Sequence, residues 1–273
     1  MSAAGDVVLV DPDTGTTVRT VIPHDANGPA ISVAWDPVHR IVYFGRGGTC
    51  ASVWRHTLGE EAVHLLGTGH HPVLSPDGTR LAVANGCTPG RSQSDGITVR
   101  AAGTGAPMLR LPIVVPTAGK AAMPWYVGDI DWRPDGGALV VTIGWEGSDA
   151  QHLVDLHRPP ASVAAGKVVA VKPAPPETTY AEVEFVGPRL VVAGSCCVGA
   201  AGTPSARLFV RDGTAGALTP IATGPAYSLT ADPGGRLRYL GGDPAVGPAA
   251  LWAMDAIGQA ARQIGGEFRA LSW

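Results

Sequence analysis

Along much of the chain apolar residues alternate with small or polar ones in short runs, and the same turn precedes run after run. In SPDGTRLAV, Ser75 to Val83, Leu81 and Val83 carry the period-two pattern of a half-buried strand. Ahead of them Pro76 fixes φ at the first central position of a β-turn, Asp77 bonds its own backbone, and Gly78 takes a positive φ at little cost. The device recurs as AWDPVHRIVYF from Ala34 to Phe44, DWRPDGGALVVT from Asp131 to Thr142 and TADPGGRLRYL from Thr230 to Leu240. EFVGPRLVVAG, Glu184 to Gly194, is a looser copy, and FRALSW, Phe268 to Trp273, has the strand but stops where its turn would begin.

Repetition at roughly 40 to 55 residues, with room for about four short strands in each unit, is the signature of a β-propeller. The predicted class is all-β, a six-bladed β-propeller, with innermost strands near residues 31–35, 72–75, 127–132, 181–186, 227–231 and 268–273. GDVVLVDPDTGTTVRTVI, Gly5 to Ile22, matches the outer hairpin of another blade, GITVRAAGTGAPMLRL from Gly96 to Leu111, while FRALSW matches an innermost strand. The last blade is therefore expected to be a composite of N- and C-terminal strands, which would leave no sheet edge open around the ring. That blade lacks an obvious second strand. Either it is three-stranded, or these residues are an excerpt of a longer exported or anchored protein, the reading the sequence favours. Composition suits many tight turns, with 37 Gly and 24 Pro against 6% aromatic and 16% charged residues. No polar linker interrupts the pattern, so residues 1–273 read as a single β-propeller domain.

SPDGTRLAV, with RPDGGALVV from Arg133 to Val141 as a second copy, resembles the TolB-like or PD40 (WD40-like) group of β-propeller repeats. The resemblance covers nearly the whole chain by repetition and implies the fold. For function it points two ways, to periplasmic scaffold proteins and to the gating propellers of serine peptidases. The Gly-His and Trp-Asp signatures of WD40 repeats are missing, which puts that neighbouring family second.

Charge and motifs exclude more than they assign. A net charge of −3 argues against nucleic acid as a partner, because phosphate binding needs a concentrated basic surface. No stretch of about 18 apolar residues is present to span a bilayer. MSAAG passes directly into the strand GDVVLV, which leaves either a cytosolic protein or an exported domain without its leader. No serine lies in G-x-S-x-G, and H-E-x-x-H, a P-loop and C-x-x-C are all missing. GRGGTC at Gly45 and GTGAPM at Gly103 fail as dinucleotide fingerprints, and DPDTG at Asp11 lacks the twelfth-position acid of a calcium loop.

Propeller geometry gathers the longer connections on one rim around the channel: PHDANGPA at Pro23, GTGHHP at Gly67, NGCTPGRSQSDG at Asn85, PIVVPTAGKAAMPWY at Pro112 and GSCCVGAAGTPS at Gly194. Aromatic and imidazole groups stand at the entries to the innermost strands: His70, His71, Trp125, Tyr126, Tyr180 and Tyr227. They read either as a recognition surface or as plugs between blades. Cys50 and Cys87 fall at comparable places in neighbouring blades, so a disulfide across the rim is sensible, and the adjacent Cys196 and Cys197 are candidates for a vicinal one. Cysteines in exposed loops favour an extracytoplasmic setting over a cytoplasmic one.

Aligned on their turn prolines, the innermost strands give two columns. One is apolar: Val33 and Trp35, Ile130 and Trp132, Val183 and Phe185, Leu271 and Trp273. The other is small or polar: Ser32 and Ala34, Ser228 and Thr230, Ala270 and Ser272. In two successive blades the second column becomes Asp129 with Asp131 and Glu182 with Glu184, preceded by His71. Four carboxylates converging near the channel mouth would repel one another unless they hold arginine partners, shared protons, water or a bound cation. Asp129 and Glu182, nearest the rim, are the first candidates to touch a ligand. No cofactor is implied beyond such a channel-bound cation. The expectation is a non-catalytic binding or scaffolding propeller that recognises a protein, peptide or small ligand on its loop rim. The alternatives are a channel-centred lyase or hydrolase, metal-dependent or not, and the gating propeller of a larger peptidase.

Overall fold

In a computed structural model the alternating runs become short antiparallel strands joined by the expected turns. The structure describes residues 1–273 except 25–27, 48–50, 86–94, 115–125, 146–147, 170–177, 197–206, 224–225, 233, 242–248 and 273. A hairpin of β1 (Val7–Val10) and β2 (Thr17–Ile22) comes first. The first blade follows, β3 (Ala30–Asp36), β4 (Ile41–Arg46), β5 (Ser52–Thr57) and β6 (Val63–Thr68). The second is β7 (His70–Leu74), β8 (Arg80–Ala84), β9 (Gly96–Ala101) and β10 (Pro107–Pro112). The third is β11 (Tyr126–Trp132), β12 (Ala138–Trp145), β13 (Ser148–Asp155) and β14 (Lys167–Val168). The fourth is β15 (Thr178–Val186), β16 (Arg189–Cys196), β17 (Arg207–Asp212) and β18 (Thr219–Thr223). The fifth is β19 (Tyr227–Ala231), β20 (Leu237–Gly241), β21 (Ala249–Met254) and β22 (Arg262–Phe268). In each blade the strands pair in chain order, so the molecule is an all-β propeller.

The repeated turn joins the first two strands of each blade. At Ser75 the Gly78 N–H donates to the Ser75 carbonyl at 2.8 Å and the Ser75 N–H to the Arg80 carbonyl at 2.8 Å, with Gly78 at φ 70. Arg133 and Gly136 repeat the bond at 2.8 Å, and Asp232 and Gly235 at 2.9 Å. In the first blade, where no glycine is available, Arg40 takes the positive φ of 58. Asp36 compensates by accepting from the Val38 and His39 N–H groups, each at 3.0 Å.

The expected count of six blades needs correction: among the described residues there are five four-stranded sheets and one two-stranded sheet, β1 with β2. The predicted innermost strand 268–273 is not a strand. Phe268 instead ends β22, where it pairs with Ala249 on the outer side of the fifth blade. Residues 269–272 make single bonds to several neighbours and no ladder, since among the described residues no second strand lies beside them.

Side chains of the first three strands fill the gaps between sheets. Ile97, Val99, Ile130, Trp132, Leu139 and Val141 join the second blade to the third. Val140, Val183, Leu190 and Phe209 join the third to the fourth. Two further clusters tie the hairpin in, Val7 packing with Val42 and Phe44 of the first blade, and Val8 and Val10 with Leu240, Leu251 and Phe268 of the fifth. The period of two in VVLV thus sends alternate valines to opposite neighbours.

Candidate functional site

In a propeller the first strand of each sheet leaves one backbone edge facing the axis, without a ladder partner. The N–H groups along that edge must find acceptors elsewhere. The polar column supplies them, each strand capping the next. The His71 N–H donates to Ser32 Oγ at 2.9 Å, and the His71 ring lies with Nε2 3.1 Å from Asp129 Oδ1. Asp129 Oδ2 accepts from the Val183 N–H at 2.8 Å, and Asp131 Oδ2 from the Phe185 N–H at 2.6 Å. Glu182 Oε2 accepts from Leu229 at 3.2 Å and Glu184 Oε1 from Ala231 at 2.7 Å. Ser228 Oγ accepts from the Leu271 N–H at 2.7 Å, and Ser272 Oγ from the Trp35 N–H at 3.0 Å.

A β-bulge aims these side chains. All five innermost strands lose register with their neighbours soon after they begin, between Ala30 and Ser32, His70 and Val73, Val127 and Asp129, Tyr180 and Glu182, and Tyr227 and Thr230. The extra residue turns the following side chain along the wall toward the next blade. His71 and Ser228 reach this geometry at positive φ, 54 and 51.

Among the described residues the four carboxyl groups have no arginine or lysine partner; His71 is the one basic side chain bonded to them. Burial, with the charge of Asp129 added, pushes Asp131 up to about 8 and Glu182 up to about 8. Glu184 is raised well above the carboxylate range by burial and by the charges of Asp131, Asp129 and Glu182. Burial pulls the His71 ring down, but its bond to Asp129 and the charges of Asp129 and Glu182 outweigh that and raise its pKa. Protein surrounds His71, yet 37% of its side chain stays open, as expected of a group on a channel wall. His70 moves the other way, to about 4, through burial and the neighbouring His71 charge. The arrangement can retain protons near neutrality and attract a positive group. Among the described residues no set of three or more His, Cys, Asp or Glu side chains is disposed to hold a metal ion.

The sequence-derived candidates divide. His71, Asp129, Asp131, Glu182 and Glu184 share one wall. Tyr126 begins β11 with 39% of its surface exposed, whereas Tyr227 is 7% exposed and packs with Leu240, Ala249, Leu251 and Phe268 as a core residue. Tyr180 lies within β15 and Cys196 ends β16, their side chains outside the description. Trp125, Cys50, Cys87 and Cys197 lie outside the described residues, as does most of the expected loop rim. Missing from the sequence-based site were the hydroxyls of Ser32, Ser228 and Ser272 as strand caps, although the aligned column held the signal.

No family model and no curated protein matches the chain. Among solved structures it is similar to TolB from Acinetobacter baumannii, with a TM-score of 0.64 and 14% identity over 96% of this chain and 64% of that chain. Tricorn protease gives a TM-score of 0.59 at 10% identity over 99% of this chain and 29% of that chain. The β-propeller domain of the Trilobed protease from Pyrococcus furiosus gives 0.51 at 14% identity over 86% of this chain and 71% of that chain. The chain thus spans 64% of the TolB chain and a smaller share of tricorn protease. At these identities the likeness is one of fold, the β-propeller. No helix among the described residues is long and apolar enough to cross a membrane.

Proposed function

We propose that this protein is a non-catalytic binding propeller that holds a protein, peptide or small ligand at the rim where its innermost strands begin. One observation carries the reading: Asp129, Asp131, Glu182 and Glu184 lie on successive blades with no arginine or lysine partner among the described residues. A cationic side chain or amine entering from the rim would meet Asp129 and Glu182 first and displace the protons this wall retains. Five four-stranded blades among the described residues carry this reading, with the β1–β2 hairpin packed between the fifth and the first. A Cys50–Cys87 bridge and an extracytoplasmic setting complete it, in keeping with the periplasmic scaffold side of the resemblance. The likeness to tricorn and Trilobed protease propellers favours a second reading, a gate whose peptidase module lies outside these residues.

Short peptides rich in lysine, titrated against the purified protein beside glutamate counterparts, test the binding reading. The lysine peptides should bind at least about tenfold more tightly, and Asp129→Asn with Glu182→Gln should remove that preference in protein that still unfolds cooperatively. Equal binding of both peptide classes, or full affinity in the double variant, overturns it.

A further inference from the structure

In the polar column each described link joins a side-chain oxygen to a backbone N–H, with one exception. Between the second blade and the third the link is a pair of side chains, the His71 imidazole with Nε2 3.1 Å from Asp129 Oδ1. Asp129 has two other donors. Its Oδ1 also accepts from the Ile130 N–H at 2.9 Å, and its Oδ2 accepts from the Val183 N–H at 2.8 Å. Both amides are fixed by their strands, so of the three partners only His71 can leave without moving backbone. Nor would its leaving part the two blades, because Trp132 Nε1 still donates to the Val73 carbonyl at 2.9 Å.

The His71 backbone is held while its side chain is not. The N–H donates to Ser32 Oγ at 2.9 Å, and Gly45 of β4 leaves room for that hydroxyl, since a Cβ there would stand 2.5 Å from it. Beyond Asp129 the imidazole has no hydrogen bond among the described residues, and 37% of the side chain is open. Rotation about the side-chain torsions would lift it off Asp129 with every backbone bond intact.

We infer that His71 is the resident counter-ion of the acidic wall: its imidazole holds Asp129 until the cation of a ligand takes its place, and the imidazole then passes its extra proton to water. The inference rests on the proposed binding of a cationic group at this rim and names what controls it. A ligand cation at Asp129 and a protonated His71 are like charges at close range, and each disfavours the other. Proton and ligand therefore compete, and by linkage each weakens the other by the same factor. Burial opposes the proton on His71, but the bond to Asp129 and the charges of Asp129 and Glu182 raise its pKa above the ordinary 6.5. The competition is thus in force at about pH 6 and fades as pH rises through the folded value. Asp129 and Glu182 are the charges that act on the imidazole, with His70 beside it on β7. β3 meets it with the Ser32 hydroxyl, its Asp36 lying at the far end of the strand. The ionisable side chains on the other strands packed against β7, Tyr43 and Arg46 on β4, Arg55 and His56 on β5, Arg80 on β8 and Asp131 on β11, do not act on it.

The test titrates lysine peptides calorimetrically against wild type and His71→Gln at about pH 6 and about pH 9. Wild-type affinity should rise with pH, but Asp131, Glu182 and Glu184 also lose protons over this range, so the variant isolates the imidazole. Glutamine keeps a donor for Asp129 and cannot take the charge. His71→Gln should bind at least about fivefold more tightly than wild type at the lower pH, and the gap should close at the higher. Should glutamine not fold at the φ of 54, His71→Asn suits that conformation better. In wild type, adding peptide should lower the pH at which the His71 imidazole titrates by NMR by about one, the signal being assigned by its loss in the variant. A variant that binds equally or more weakly at the lower pH overturns the inference alone, as does an imidazole titration that bound peptide leaves unmoved. Lysine peptides that bind neither protein at either pH overturn the binding reading and this inference with it.

Discussion

At the scale of single residues, the carboxyl groups of the inner wall are made unusual by position alone. In an unfolded chain Asp131 and Glu182 would ionise near their ordinary values of 3.8 and 4.5, but in the folded wall burial and the Asp129 charge hold each near 8. Between those limits the folded protein keeps protons that the unfolded chain has released. The contribution is therefore fully present in acid and lost as pH rises through the folded values. Asp77, held at about 2 by its bond to Ser75, works in the opposite sense and only in stronger acid, so the windows do not overlap. Within the window His70, lowered to about 4, and the Met1 amine, lowered to about 5, work against the three raised carboxyls, His70 only up to about pH 6.5; the melting temperature should therefore fall most clearly between about pH 6.5 and 8, and Glu184→Gln, which replaces one of the raised groups, should flatten that fall. A wild-type profile that is level or rising over this range, or an unchanged slope in the variant, would show that the wall is already ionised and stabilised by its backbone donors.

At the scale of elements, the turns and the innermost strands were legible because they rest on local chemistry. SPDG and RPDG report the turn through Pro76, Asp77 and Gly78, and the period-two pattern of Leu81 and Val83 reports the strand. Alignment on the prolines even placed Ser32, His71, Asp129, Glu182 and Ser228 at one level. Two things were hidden. The bulge at each strand entry is a register property between two strands, and nothing in one strand alone announces it. The partners of the column were hidden for the same reason: a sheet that turns its edge to the axis lets each acidic side chain accept from an N–H of the next blade, which no single strand announces. Connections repeat as well as strands. Those between β4 and β5 and between β8 and β9 occupy the same place in neighbouring blades, and they carry Cys50 and Cys87. Peptide mapping without reductant should recover the two cysteines joined, and recovery of both as free thiols would remove the bridge and much of the argument for export.

At the scale of the molecule, hydrogen bonds between innermost segments pass around the whole circle. Ser32 links the first blade to the second, His71 the second to the third, Asp129 and Asp131 the third to the fourth, and Glu182 and Glu184 the fourth to the fifth. Ser228 then reaches Leu271, and Ser272 returns to Trp35 in the first blade. Residues 269–272 are thus the sole innermost link between the fifth blade and the first among the described residues. The same segment packs Ala270 against the first blade's cluster and Leu271 against the fifth's, and Arg269 Nε donates to the Ala3 carbonyl at 2.7 Å. Removing residues 269–273 should expose the edges of β3 and β19 and cost about 2 to 4 kcal/mol, the sum of the lost apolar contacts and bonds. Free edges of this kind pair with other chains, so the shortened protein should also associate, which light scattering would detect. Should it fail to accumulate at all, Leu271→Ala keeps the segment while removing its largest described anchor, and should lower the melting temperature by several degrees. A shortened chain that stays monomeric and melts with the parent would mean that the ring is held by its blade interfaces, and that the C-terminal segment lies on the axis without closing it.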